Sequence, residues 1–223
     1  MYRDGDGVAP DYREAVRWFR MAAEQGLAEA QYGMGMMCHN GRGVAHDFRD
    51  AVEWFRRAAR QGYPEAQYKL GHMLRTGRGV AQDCREAATW IRRAAEQGLV
   101  ESQYDLGRLY HNGEGVAQDY REAAKWIGLA AGQGFANAHF ALGMMYKNGE
   151  GVAQDNAEGA KWIRMAAEQG LVGAQLVLGT IYLLGEGLAQ DAQEARKWLA
   201  LAAEQGHEDA GRLLGRLLEH LAE

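Results

Sequence analysis

A tryptophan recurs every 36 residues along this chain, and that period constrains the fold more than any other feature. A glycine eight residues after each tryptophan keeps the same spacing, as Gly98 follows Trp90. A fixed period of about 20–50 residues is the signature of a solenoid, in which each repeat buries its apolar face against its neighbours. The recurring tryptophans are Trp18, Trp54, Trp90, Trp126, Trp162 and Trp198.

The period divides the sequence into five whole repeats and two partial ones, which we predict to form a single repeat domain. The opening Met1-Tyr2 aligns with Met145-Tyr146, so the sequence starts midway through a repeat. We therefore expect an upstream part to have been removed or assigned elsewhere, together with any leader. The boundaries are 1–26 for the opening part, 27–62, 63–98, 99–134, 135–170 and 171–206 for the whole repeats, and 207–223 for a closing half repeat.

The first half of each repeat has the pattern of an amphipathic helix. In repeat 99–134, Ser102, Leu106, Leu109 and Tyr110 fall at the spacing i, i+4, i+7 and i+8, which places them on one buried stripe. Gly107 lies inside this helix and has a copy in every repeat. Because a mid-helix glycine costs about 1 kcal/mol relative to alanine, we expect bulk from a partner helix, the tryptophan, to press against it.

The second half of each repeat predicts a second helix that begins with an aspartate. Asp119 precedes Glu122 by three residues, as in a capping box. Trp126 then shares one face with small alanines, and Gly134 ends the helix because glycine adopts the left-handed turn without penalty. The six tryptophans are interpreted as core residues that fill the gap between repeats and dominate stability.

Composition excludes some classes of function. Net charge is −5, from 25 basic and 30 acidic residues, so no overall basic field recruits nucleic acid. No run of about 18 apolar residues predicts a transmembrane span, and the opening residues lack a signal-peptide core. Because we expect the start to be incomplete, periplasm and cytoplasm both stay open. Cys38 and Cys84 replace apolar or aromatic residues at different repeat positions, so free thiols are favoured over a disulfide or metal pair.

The motifs of catalysis are missing from the sequence. Ser102 is the one serine, so no G-x-S-x-G or S-x-x-K nucleophile motif exists. No H-E-x-x-H, C-x-x-C or phosphate-binding P-loop is found, and the G-x-G turns recur in every repeat without a following Lys-Ser/Thr. We therefore expect no enzyme activity, no catalytic residue, no cofactor and no metal site.

Three motifs resemble those of the Sel1-like repeat family, which is similar to tetratricopeptide repeats. They are A-x-A-Q-Y at Ala28–Tyr32 with its later glycine, G-x-G-V-A-Q-D at Gly113–Asp119, and E-A-x-x-W-x-x-x-A-A at Glu86–Ala95. The resemblance covers essentially the whole chain. It implies an all-α fold, a right-handed α-solenoid superhelix of antiparallel helix pairs. It also implies a scaffold or adaptor for protein–protein interaction, as in bacterial relatives.

In this family one face of the first helices lines a concave groove, so the resemblance points to that face as the binding site. The predicted partner-binding residues are Tyr32, Tyr68, Tyr104, Phe140, His72, Arg75, Arg108, His111, Asn112, Lys147 and Asn148. Aromatic rings give large contacts at low entropic cost, and arginines can hold carboxylates. We hypothesise that an extended or loop segment of acidic character docks along residues 27–170. Alternatively, the tyrosines only pack between helices and the charges are solvated.

Two other functions stay open at the level of sequence. The family resemblance includes immunity proteins that neutralise a secreted toxin or effector, and sequence alone does not separate that role from a general adaptor. The chain is also compatible with a structural spacer or homo-oligomer. In that case the second helix of the opening part, which carries Trp18 and Phe19, would show apolar surface and stack end to end on another chain.

Overall fold

The protein is built from helices. The computed structural model describes residues 12–222, and within them it contains twelve α-helices and no strand. The helices are α1 (Tyr12–Glu24), α2 (Ala28–Asn40), α3 (Phe48–Arg60), α4 (Pro64–Thr76), α5 (Cys84–Glu96), α6 (Val100–Asn112), α7 (Tyr120–Gly132), α8 (Ala136–Asn148), α9 (Asn156–Glu168), α10 (Val172–Leu184), α11 (Ala192–Glu204) and α12 (Glu208–Ala222). The first eleven residues of the predicted opening part lie outside the described residues.

The helices fall into two compact units. The N-terminal unit, Met1–Gln118, contains α1–α6, and the C-terminal unit, Asp119–Glu223, contains α7–α12. Within each unit, a helix packs against the helix before it and the helix after it in the sequence. Even-numbered helices are the first helices of their repeats and odd-numbered helices are the second. The fold is therefore the all-α repeat solenoid that the period predicts.

Each second helix from α3 to α11 begins with an aspartate cap, as the sequence predicts. The Asp83 carboxylate accepts hydrogen bonds from the backbone N–H groups of Arg85 and Glu86, both at 2.9 Å. The glutamate of the motif has a second task, because Glu86 accepts a bond of 3.1 Å from Nε1 of Trp90. The same pairs of residues recur at Trp126 and Trp198. At these three tryptophans the D-x-x-E pair thus starts the helix and also satisfies the indole N–H.

The loop after each first helix rests on the preceding repeat. Gly115, the second glycine of the G-x-G turn, has a φ of +73°. A Cβ added there would overlap the carbonyl oxygen of Cys84 at the start of α5. The turn therefore requires glycine twice over, for its backbone conformation and for its close approach to the neighbouring helix. This contact fixes the position of one repeat against the next.

The expectation that tryptophan presses against the mid-helix glycine is wrong. The side chain that fills this role is the residue after the tryptophan. A Cβ added at Gly71 would lie 2.6 Å from Ile91, and one at Gly143 would lie 2.6 Å from Ile163. The glycine therefore lets two helices of one repeat pack closely, with a β-branched or aromatic side chain against the exposed backbone.

The interpretation of all six tryptophans as core is also corrected. Trp90 and Trp198 are buried, but Trp18 is 54 % exposed and the remaining three are half-buried. The next residue forms the core instead, as Phe55 is 0 % and Ile91 is 1 % exposed. One residue along a helix turns the side chain by about 100°, so a tryptophan before a core residue points to one side of the core. Four of the six tryptophans lie at its edge, with one side towards solvent.

A ladder of buried polar side chains links consecutive repeats and was not predicted. Nε2 of Gln67 donates a 3.2 Å bond to the carbonyl oxygen of Ala59, and Oε1 of Gln67 accepts a 2.8 Å bond from Gln97. Gln31, Gln103 and Gln175 occupy the same repeat position and are also buried. In the C-terminal unit the position is once taken by His139. Every buried polar group in the ladder thus has a partner, which keeps the cost of its burial low.

Candidate functional site

The predicted tyrosines lie half-buried on the first helices of the N-terminal unit. The hydroxyl of Tyr68 on α4 donates a 3.0 Å hydrogen bond to Oδ2 of Asp105 on α6. Burial, and then the nearby Asp105 carboxylate, raise the pKa of Tyr68 well above its usual range. Burial also raises the pKa of Tyr104. Tyr68 is therefore a neutral donor that joins neighbouring repeats, and both rings keep part of their faces accessible.

The predicted basic residues of this unit are already ion-paired. Arg75 lies 3.7 Å from Glu114, and Arg108 lies 3.7 Å from Asp105. The Arg108 guanidinium also lies over the ring of Tyr104, 5.8 Å from its centroid. These two acidic partners were not predicted from the sequence. The two ion pairs place both signs of charge on this face.

Polar and imidazole groups complete this face. Burial, and then the positive charge of Arg75, lower the pKa of His72 below its ordinary value of 6.5. Nδ1 of His111 lies 3.1 Å from Oδ1 of Asn112 at the end of α6. The Asn112 side chain is exposed, so it is accessible to another molecule. We call the face formed by Tyr68, His72, Arg75, Tyr104, Asp105, Arg108 and Glu114 the paired face.

Tyr32 lies apart from the paired face, in a cleft near the start of the described chain. Its ring centroid is 5.8 Å from that of Phe55 and 5.2 Å from that of Tyr63. The cleft has a volume of about 300 Å³ and is also lined by Phe19, Met36 and other residues of α1 and α2. Trp18 on α1 is 54 % exposed, so the predicted apolar surface on this helix is confirmed.

In the C-terminal unit, three first helices form a larger cleft. We call it the first-helix cleft; its volume is about 530 Å³, within the usual range of small binding pockets. Of the predicted residues, Lys147 lines it and forms an ion pair with Glu186. Phe140 is half-buried, and Asn148 is exposed and donates a 3.4 Å bond to Glu150. The residues lining the cleft are Met144, Lys147, Leu176, Val177, Thr180, Asp209, Arg212, Leu213 and Arg216.

The sequence analysis missed the contribution of α12 to this cleft. Arg212 occupies the repeat position of Tyr104, and Arg216 occupies that of Arg108, so the 36-residue period already marked both. The closing half repeat was interpreted as a terminal helix only. Arg212 forms an ion pair with Asp209, and Arg216 is exposed at the rim. The cleft thus combines an apolar floor with three cationic side chains.

No helix between residues 12 and 222 is long and apolar enough to cross a lipid bilayer. The two cysteines, Cys38 and Cys84, are free, with Cys38 buried and Cys84 half-buried. Burial also raises the pKa of the Cys38 thiol. In the described part of the chain, no group of three His, Cys, Asp or Glu side chains is arranged to hold a metal ion.

The sequence matches the family model described as Sel1 repeat six times, at residues 1–27, 28–63, 64–99, 100–135, 136–171 and 172–207. No curated protein matches the chain.

Several solved structures are similar to this protein. One is a protective antigen of uropathogenic Escherichia coli with an SLR fold, at 41% identity and a TM-score of 0.95 over 98% of this chain and 47% of the antigen. The chain thus spans about half the length of that antigen. Another is a Sel1 repeat protein from Oxalobacter formigenes, at 32% identity and a TM-score of 0.84, over 91% of this chain and 81% of that protein. A third is the immunity protein Pa5087 from Pseudomonas aeruginosa, at 19% identity and a TM-score of 0.54, over 91% of this chain and 80% of that protein. This similarity shows the fold alone.

Proposed function

Because the chain belongs to the Sel1 repeat family, whose members bind protein partners and are generally non-catalytic scaffolds, we propose that it is an adaptor. It holds a segment of a partner protein against the first helices of its repeats. The observation that carries this proposal is the first-helix cleft of the C-terminal unit, an apolar concavity on three consecutive repeats. Concave sites with an apolar floor and a few charged groups are the usual form of binding sites.

The chemistry of the cleft favours an apolar side chain next to a carboxylate. Met144, Leu176 and Leu213 supply apolar contact area, and Arg212 and Arg216 lie at the rim on α12. Arginine binds carboxylates through two parallel N–H donors. The Arg212–Asp209 pair is exposed, and exposed ion pairs contribute only about 0–1 kcal/mol, so an acidic group of the partner can replace Asp209 at little cost.

The paired face of the N-terminal unit is a second surface for the same partner class. Its tyrosines present ring faces, and Asn112 presents an exposed amide suited to an extended backbone. Here an acidic segment must displace Glu114 from Arg75 or Asp105 from Arg108. The side chains of these residues are between 17 % and 51 % exposed, so the exchange occurs at a partly solvated site. We propose this face as an auxiliary contact.

A capture experiment tests the adaptor function. The wild-type full chain is used as bait in a bacterial extract, and the amount of bound protein is measured. The same measurement is made with the variant Leu176→Glu, which places a charge on the apolar floor. The double variant Arg75→Glu/Arg108→Glu probes the paired face in the same way. Exposed Arg49 and Arg85 on second helices give the control, Arg49→Glu/Arg85→Glu. We expect loss of the partner with the cleft variant, reduced capture with the paired-face variant, and full capture with the control. Equal capture by all four proteins would contradict the proposal.

No observation in the structure favours the immunity role over a general adaptor, since the match to an immunity protein shows only the fold. That role and end-to-end assembly through α1 stay predictions.

A further inference from the structure

A stripe of exposed apolar side chains runs across the second helices of the C-terminal unit. Leu129 on α7, Met165 on α9 and Leu201 on α11 occupy the same position of consecutive repeats. They are 47 %, 43 % and 37 % exposed. The half-buried indoles of Trp126 and Trp162, one helical turn earlier, extend the apolar area. Contiguous apolar patches on a protein surface commonly mark sites of association.

In the N-terminal unit, α1 has the exposed Met21 at the corresponding position, but α3 and α5 have different chemistry. Arg57 and Arg93 stand there, and each guanidinium lies 4.6 Å from the centroid of an indole ring, Trp54 and Trp90 respectively. Arginine therefore covers the tryptophan and brings charge to the surface. The repeat does not require an apolar residue at this position. Packing within the chain therefore does not explain why the stripe of the C-terminal unit is apolar.

Charged residues flank the stripe in a fixed order. Four residues before each residue of the stripe is a lysine. These are Lys125, Lys161 and Lys197, whose side chains are 60 %, 70 % and 56 % exposed. Three residues after it, Glu168 and Glu204 are exposed on α9 and α11. With a rise of 1.5 Å per residue, the lysines lie about 6 Å and the glutamates about 4.5 Å from the stripe along the helix. On α9 and α11 the order is thus basic, apolar, acidic, whereas α7 has Gly132 in place of the glutamate.

We propose that this surface, which we call the outer stripe, is a two-fold interface with a second copy of the chain. A two-fold axis that runs along the stripe at Met165 reverses the direction of the helices, so the order becomes acidic, apolar, basic on the facing copy. Met165 then packs on Met165 of the second copy, Leu129 on its Leu129 and Leu201 on its Leu201. Lys161 faces Glu168 of the second copy. Such self-complementarity is what a closed, isologous contact requires.

The charge order is the reason for choosing a second copy as the occupant. A partner of uniform charge would meet like charge on one side of the stripe. The chain itself, turned by the two-fold axis, meets opposite charge on both sides, since Lys197 also faces Glu204 of the second copy. The lysines each have a glutamate three residues earlier as an intrahelical partner, at 2.8 to 3.3 Å. Those exposed pairs are weak enough to be shared with the second copy.

Sedimentation velocity of the purified full chain, without partner, tests the interface. We expect the wild-type protein to shift with concentration from the mass of one chain to twice that mass. Met165→Arg should stay monomeric, with a dissociation constant raised about tenfold or more, as at a central interface residue. It should fold, because Arg57 and Arg93 occupy this position in other repeats. The control is Met21→Arg, at the same repeat position and 48 % exposed in the other unit, which should dimerise like wild type.

A charge exchange tests the orientation of the two copies. Lys161→Glu should weaken the dimer, because it places two acidic groups opposite each other. The double variant Lys161→Glu/Glu168→Lys restores opposite charges only if residue 161 of one copy faces residue 168 of the other, so it should regain the dimer. A wild-type protein that is monomeric at all concentrations, a dimer insensitive to Met165→Arg, or a double variant no better than Lys161→Glu would each overturn the proposal.

Discussion

The two units have the same type of interior packing and differ on both surfaces. On α3 and α5 of the N-terminal unit, arginines cover the tryptophans, whereas leucine and methionine are exposed on the second helices of the C-terminal unit. On the first helices, the N-terminal unit has the ion-paired face, whereas the C-terminal unit has the apolar cleft. Packing dictates the same residue type in every repeat, so positions that change between repeats are free to carry function. By that criterion the C-terminal unit offers the larger contact surfaces.

The largest expected effect concerns the type of interior packing that both units have. We expect Phe55→Ala to lower the free energy of unfolding by about 3–5 kcal/mol, because the ring is fully buried against Gly35. Trp54→Ala should cost less than half as much, since this indole is half-buried under Arg57. Chemical denaturation followed by circular dichroism measures both. If the tryptophan variant lost as much stability as the phenylalanine variant, the placement of the core would be wrong.

The next effect separates the cleft from the paired face. We expect Arg212→Glu/Arg216→Glu to reduce the affinity for a captured partner by about tenfold or more, because Arg216 is exposed at an open cleft. Arg75→Glu/Arg108→Glu should reduce it less, since both arginines already pair within the chain. Titration calorimetry with the purified partner gives the two values. The reverse order would make the N-terminal unit the main binding surface.

A smaller effect distinguishes the ladders of the two units. Gln67→Leu should lower the free energy of unfolding by about 1–3 kcal/mol, because the Ala59 carbonyl loses a buried donor. His139→Gln should change it by less than about 1 kcal/mol, because glutamine can replace the bonds of the imidazole to Ala131 and Gln169. Denaturation of both variants under one condition makes the comparison. A larger cost for His139→Gln would show that the imidazole is specifically required.

The smallest effect is a pH dependence confined to the N-terminal unit. His72 stands where the C-terminal unit has Met144, and its pKa is lowered by burial and Arg75. A lowered folded pKa favours the neutral ring, so this stability is present above the ordinary value of 6.5 and is lost as pH falls through the folded value. We expect the wild type to lose more stability below pH 6.5 than His72→Met. Parallel losses in the two proteins would contradict this.

Most of the fold follows from the sequence, because a strict period reports each structural requirement several times. The aspartate caps, the terminal glycines and the helix pairs were all predictable from residue type and spacing. The choice between Trp54 and Phe55 as the core residue was not. Both are apolar and adjacent, and the orientation of the helix about its axis, which the pattern leaves undetermined within one residue, decides which one is buried.

The candidate site was predictable only in part. Repeat positions identify the face on which Tyr68 and Arg75 lie, and these positions also mark Arg212 and Arg216 on the last helix. The pairing of Arg75 with Glu114 depends on where a loop of the next repeat places its carboxylate. A linear pattern contains no such distance. The outer stripe is visible as a column of the repeat, but its exposure depends on the tertiary structure.

Photo-crosslinking tests the central claim, that a partner binds on the first helices, most directly. A photoreactive residue is placed at Val177 in the first-helix cleft and, separately, at Met165 on the outer stripe. Each protein is irradiated with the captured partner at one protein concentration. The account predicts a covalent adduct with the partner from position 177 and none from position 165. An adduct from position 165 alone would contradict it.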